Sequence, residues 1–159
     1  MDLVIVSKLS ATDWKDALTK LCNYAVHKGY AKPSLLTALL EREDRCPTGF
    51  PVNGLRGVAL PHEDVIHTKK PVILIARPVK PLIFGRMDNA KEEVESLLII
   101  MVIVTDVKKY LKTIDKVTPL LSDIDLVEKL QRIESSNLEK EVISHFDAEF
   151  ERFEMIELP

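Results

Sequence analysis

Apolar residues along the chain fall into two rhythms. Between Thr12 and Lys28, Trp14, Leu18, Leu21, Cys22 and Ala25 recur at the three-and-four spacing of a helix, with Gly29 as a stop and Ser10 and Asp13 in the form of a capping box. A shorter helix is predicted after Pro33, with Ser34 as its cap, Leu35, Leu36, Leu39 and Leu40 as its apolar side and Glu41, Arg42 and Glu43 at its end. Two helices are thus expected before any strong strand. The pattern then dissolves from Asp44 to Arg56, where Pro47, Gly49, Pro51, Asn53 and Gly54 favour turns.

Strand-like runs follow at Gly57 to Leu60, Val72 to Ala76, Leu82 to Arg86 and Leu97 to Val104. The second lacks polar alternation, the mark of a strand covered on both faces, and the eight-residue run at Leu97 to Val104 is the best central-strand candidate. Helical spacing returns with Val107, Leu111, Ile114 and Val117, and Pro119 is expected to disturb the far end of that helix. Ser122 and Asp125 are expected to cap a helix carrying Leu126, Val127 and Leu130. Ser136 and Glu139 would cap a last one carrying Leu138, Val142, Phe146 and Phe150, after which the chain frays. Helices on either side of a strand block, with no linker or internal repeat, predict an α/β fold: a mixed β-sheet sandwiched between helices. The expected organisation is a single domain over residues 1–159 with its core at about 3–150.

Composition narrows the chemistry. A chain of 159 residues buries roughly 68–70% of its unfolded surface, enough to fold without disulfides or a structural metal. Its five glycines form neither GxGxxG nor GxxxxGK, so no nucleotide-gripping loop is expected. A formal charge of -3 gives no attraction to phosphate backbones, which argues against a nucleic-acid partner. Cys22 and Cys46 lack CxxC spacing, and Asp2 stands where a signal peptide carries basic residues. The eight-residue apolar run falls well short of the ~20 residues of a membrane-spanning helix. A cytoplasmic protein without membrane insertion is the expectation.

Four histidines are the main candidates for chemistry. His27 sits near the end of a predicted helix, where a cationic side chain suits the carbonyl end of the dipole, and His145 lies on a charged terminal helix. His62 is different. It follows Pro61 where an apolar run hands over to a loop, the position at which α/β sheets place ligands, and the proline restricts the backbone beneath the ring. His62, Glu63, Asp64 and His67 are all potential metal ligands. At five residues apart, however, the two histidines would lie about 140° from each other on a helix, unlike the HExxH zinc motif. No other Cys or His cluster supplies the missing ligands, and no metal or cofactor is expected. There is no GxSxG elbow, and the paired carboxylates fit solvated helix faces.

Four segments in order carry a resemblance: GYAKPSLLTALLERE, PTG, NGLRGVALPH and VILIARPVKPLIF. Together they resemble the enzyme IIA proteins of the bacterial phosphoenolpyruvate-dependent sugar phosphotransferase system, of the fructose–mannitol type. The continuation PHEDVIH and the segment ARPVKPLIF are most similar to the galactitol-specific branch. The resemblance implies a phosphohistidine carrier that accepts a phosphoryl group from the phosphocarrier protein HPr on His62. It would pass the group to a cysteine of the sugar-specific IIB protein, which works with membrane-embedded IIC, and would bind no sugar itself. It also implies that Arg42 in LLERE is the charge-stabilising arginine. Arginine suits that task because its planar, permanently charged fork matches phosphoryl oxygens. Without the resemblance, Arg42 reads as a helix-end arginine paired with Glu41 or Glu43.

One position departs from the family. Many members carry a second active-site histidine where this chain has Tyr110. His67 is the candidate substitute, through its nearness in sequence to His62. An apolar patch including Phe50, Val52 and Leu55 is expected to meet partners, with Glu63 and Asp64 facing basic groups of HPr. The alternative function is a regulatory module of the same type, whose phosphorylation state controls a transcription regulator or enzyme without transport.

Overall fold

The chain's first residues form one of its central strands. The structure, a computed structural model, describes residues 1–146 and 150–159. It opens with β1 (Asp2–Leu9), in which Leu3, Val4, Ile5 and Val6 are fully buried. This corrects the expectation of two leading helices. Four consecutive apolar residues with no alternation give a helix or strand pattern nothing to register, yet each buried side chain of this size contributes about 1.5–3 kcal/mol.

The remaining elements follow as α1 (Trp14–His27), α2 (Ser34–Arg45), β2 (Gly49–Phe50), β3 (Gly57–Ala59), a 3-10 turn (Val65–His67), β4 (Val72–Pro78), β5 (Leu82–Gly85) and β6 (Glu93–Ile103). Then come α3 (Val107–Ser122), α4 (Ile124–Arg132), α5 (Ser135–Phe146) and β7 (Phe153–Leu158). The strands form one sheet in the order β2-β3-β6-β4-β1-β7, with β5 pairing to the first half of β6. β1 runs parallel to β4 and β7, β3 runs parallel to β6, and β4 and β6 are antiparallel. The expected mixed sheet between helices is what forms, and the run at Leu97–Val104 supplies its interior strand β6.

Alternate residues of β1 and β4 divide the core. Val4, Val6, Leu74 and Ala76 pack with Leu18 and Leu21 of α1 and Leu35 and Leu39 of α2. Leu3, Ile5, Ile73 and Ile75 pack with Val117, Leu120, Val127, Leu130, Leu138 and Val142 of the other three helices. Because both faces are covered, these strands carry no polar alternation.

Several local details differ from expectation. The α1 cap is Asp13, accepting from Asp16 N at 2.8 Å, and the α4 cap is Asp123, accepting from Leu126 N at 3.0 Å. Pro119 lies inside α3, which runs on to Ser122 because buried Val117, Leu120 and Leu121 offset the proline's cost. On the same helix Val107 and Leu111, expected on the inner side, are 63% and 56% exposed. Helix α5 is described as far as Phe146, and its expected continuation to Phe150 crosses 147–149, outside the described residues. The C-terminal end does not fray. β7 adds to the edge of β1, with Leu3 N donating to Arg152 O and Ser10 N to Leu158 O, both at 2.9 Å.

Gly57 opens β3 where a Cβ would collide with Val94 Cγ1 and the Phe50 carbonyl oxygen. Gly57→Ala is expected to destabilise the protein by about 1–3 kcal/mol, the usual range for overpacking a filled site. Urea unfolding of the two proteins measures it.

Candidate active site

His62 stands just past β3, and its backbone makes an isolated parallel bridge to Val102 near the carboxyl end of β6. The short β3 is in register with β6 (Val58 with Leu98, Ala59 with Ile99), so the sheet dictates where Leu60, Pro61 and His62 emerge. The ring's two contacts each work in one direction only. Nδ1 lies 2.8 Å from the Leu60 carbonyl oxygen, which can only accept. Nε2 lies 3.0 Å from an Arg42 Nη, which can only donate. The ring is therefore neutral, with its proton on Nδ1 and its lone pair on Nε2. Burial of most of the ring pushes its pKa below the usual histidine value, with Arg42 acting the same way. The Leu60 bond and the Glu63 charge oppose these effects.

Arg42 comes from the last turn of α2, an end that favours a cation. Its neighbour Glu43 is 4% exposed. Glu43 accepts from Thr48 N at 2.8 Å and from Thr48 Oγ1 at 2.9 and 3.1 Å, which ties the carboxyl end of α2 to the PTG turn. Burial raises the Glu43 pKa against the lowering effect of those bonds. Glu43 is thus committed to Thr48. The ion-pair partner of Arg42 is Glu63, at 3.6 Å.

His62 and Arg42 lie in a cleft of about 250 Å3 lined also by Glu63, Asp64, Val65, Val107 and Tyr110. The Tyr110 ring, from the first turn of α3, lies 5.8 Å from the His62 ring between centroids. Burial raises its pKa, so the phenol keeps its proton. His67 is elsewhere: it ends the 3-10 turn with Nδ1 2.9 Å from Ser34 Oγ, at the start of α2, and does not line the cleft. The expected cap Ser34 is instead the first residue of the helix, after Pro33 at the N-cap, and its hydroxyl meets His67.

The residues expected to form a partner patch are less exposed than others near the cleft. Val52 is buried, and Phe50 and Leu55 pack against the core, whereas Val107 on the cleft wall and Ile66 and Leu111 beside lining residues are exposed. Sequence reading missed Val107 and the inward turn of Glu63, which leaves that side chain only 14% exposed. The signal for Val107 was its place right after the Asp106 cap, at the start of a helix that follows an interior strand. Among the described residues, no group of three or more His, Cys, Asp or Glu side chains converges to hold a metal ion, and no helix is long and apolar enough to cross a membrane.

Comparison with known proteins places this geometry in context. The family model for the phosphoenolpyruvate-dependent sugar phosphotransferase system, EIIA 2, matches residues 1–146. The galactitol-specific EIIA component of the phosphotransferase system of Escherichia coli K12 is 29% identical over 139 residues, covering 87% of this chain and 91% of that protein. Two solved structures share the fold. The Escherichia coli complex of mannitol enzyme IIA with phosphorylated enzyme IIB matches with a TM-score of 0.69 at 20% identity, over 90% of this chain and 93% of that one. The nitrogen regulatory protein IIA-Ntr of Neisseria meningitidis matches with a TM-score of 0.70 at 20% identity, over 89% and 92%.

Proton titration of His62 by NMR is expected to show the Nδ1–H tautomer and a midpoint below about 6.5, the free imidazole value. Arg42→Ala should move the midpoint back up, since it opens the cleft and removes a positive charge. The unfolded chain binds more protons than the folded one between the depressed pKa and about 6.5. The contribution of His62 to stability is therefore complete above about 6.5 and lost as pH falls through that window.

Proposed function

The chain belongs to the EIIA 2 family of the phosphoenolpyruvate-dependent sugar phosphotransferase system, and on that footing we propose that it is a cytoplasmic carrier holding a phosphoryl group on His62 Nε2. The phosphoryl group arrives from phosphorylated HPr and leaves to a cysteine of a IIB protein, for uptake of galactitol or a related polyol or sugar. The observation that carries this reading is the pair of one-way contacts on the imidazole. They leave the Nε2 lone pair as the ring's nucleophile and put a guanidinium beside it.

The step needs little else from the protein. Nε2 forms a bond to phosphorus as the donor nitrogen–phosphorus bond breaks and its electron pair returns to the donor. The Nδ1 proton stays against the Leu60 carbonyl, which steadies the positive ring. Arg42 turns its N–H groups from Nε2 to the equatorial oxygens, where positioning and charge stabilisation do most of the work. Tyr110, whose ring lies 5.8 Å from that of His62 and whose hydroxyl keeps its proton, would donate to the phosphoryl group in the role considered above for His67. The exposed apolar residues Val107, Ile66 and Leu111 supply the surface that a protein partner covers. The galactitol-specific relative supports the polyol, and the mannitol IIA–IIB complex supports a IIB partner.

Incubation with phosphoenolpyruvate, enzyme I and HPr should add about 80 Da, one acid-labile phosphoryl group on a histidine nucleophile. His62→Ala should abolish the adduct, and Arg42→Ala should slow its formation by about 10²–10³, the range for removing one charge-stabilising donor. Adduct formation on His62→Ala would overturn the reading. Retained phosphate in the presence of the IIB protein would favour the regulatory role over transport.

A further inference from the structure

We propose that Glu63 is a positioning residue that keeps the phosphohistidine poised for onward transfer, by sharing Arg42 with His62 at rest and opposing the phosphoryl group once it is in place. The inference rests on the reading of His62 as the phosphorylated residue. Arg42 offers one Nη to His62 Nε2 at 3.0 Å and the other to Glu63 Oε1 at 3.6 Å. The Glu63 carboxylate is itself held, because Oε1 also accepts from Asp64 N at 2.8 Å. Its side chain is 14% exposed and lines the same cleft as His62, so its charge bears on whatever binds there. Arg42 Nε is buried without a partner, so at rest the guanidinium is not fully satisfied.

The charges then set the direction of the effect. At rest, Arg42 and Glu63 cancel beside a neutral ring. A phosphoryl group on Nε2 brings roughly two negative charges while the ring gains one positive charge, a net of about one negative charge, and the single guanidinium must face both this and the Glu63 carboxylate. Glu63 therefore weakens the hold of Arg42 on the phosphoryl group and repels it directly. Both effects raise the energy of the phosphorylated state relative to the free one. On transfer, the acceptor sulfur forms its bond to phosphorus, Nε2 takes back its lone pair, and Arg42 returns to its resting pair of contacts. For a unit charge about 6 Å away at an effective dielectric of about 40, the repulsion corresponds to about a tenfold shift in the transfer equilibrium.

Glu63→Gln isolates this effect, since it keeps the side-chain volume and the acceptor for Asp64 N while removing the charge. The measurement is the equilibrium partition of phosphoryl groups between HPr and this protein, read by intact mass after rapid quenching. A partition constant does not depend on how well the partners dock. Glu63→Gln should shift the partition about tenfold toward the phosphorylated protein by the same Coulomb arithmetic, slow transfer to the IIB cysteine and lengthen the phosphohistidine half-life. Glu63→Asp, which keeps the charge, should stay close to wild type. A Glu63→Gln partition equal to that of wild type, or shifted toward the donor, would overturn the inference while leaving His62 as the carrier. Absence of phosphate on His62 in the wild-type protein would instead remove the reading on which it rests.

Discussion

One hydrogen bond, from His62 Nδ1–H to the Leu60 carbonyl at 2.8 Å, decides which ring nitrogen keeps its lone pair. Its partners are two residues apart, so it looks local, but its geometry is inherited from the sheet. Leu60 emerges from a three-residue strand whose register against β6 is fixed by Val58 and Ala59, both fully buried. A slip of one residue would turn those side chains to the opposite face and carry the ring with them. The apolar core therefore acts on the chemistry through a single carbonyl group. The proline before His62 narrows the remaining backbone freedom.

The second half of the site is mounted independently. Arg42 belongs to a helix on one face of the sheet, and its placement depends on the buried Glu43–Thr48 contact that joins α2 to the following turn. A buried carboxylate is costly unless its lone pairs are met, and the Thr48 backbone and hydroxyl groups meet them. Helix α3, from the opposite layer, contributes Val107 and Tyr110. The cleft is thus a junction of elements packed on different faces of one sheet.

The sequence made β4, β6 and the helices legible because their apolar runs are long or regularly spaced. The two parallel neighbours β1 and β7 were not, and the reason is shared. In β7, Phe153 and Met155 meet one helical layer while Ile156 and Leu158 meet the other, so apolar residues fall on both faces and no alternation survives. In β1 the four buried residues Leu3 to Val6 have the same ambiguity at a chain end. At the site, His62 and Arg42 could be named from motifs, and the structure brings them into contact. Glu63 could not be assigned to Arg42, because LLERE offers two closer carboxylates at Glu41 and Glu43. Nearness in sequence also pointed from His62 to His67, yet a 3-10 turn aims that ring at Ser34. Tyr110, forty-eight positions beyond His62 in the numbering, is the one that folds beside it.

The absence of a glycine-rich phosphate loop fits this arrangement on physical grounds. A loop that cradles nucleotide phosphates through many backbone N–H groups holds its ligand tightly, which suits an enzyme that must bind before it reacts. A carrier gains nothing from such a hold, since stabilising the phosphorylated state lowers the drive to pass the group on. On the proposed function, one guanidinium, already shared with a carboxylate in the free protein, would supply charge where it develops without creating a deep well. Affinity for partners then has to come from somewhere other than the phosphoryl group. On the proposed function, exposed Val107, Leu111 and Ile66 around the cleft would provide it without touching the balance at Nε2.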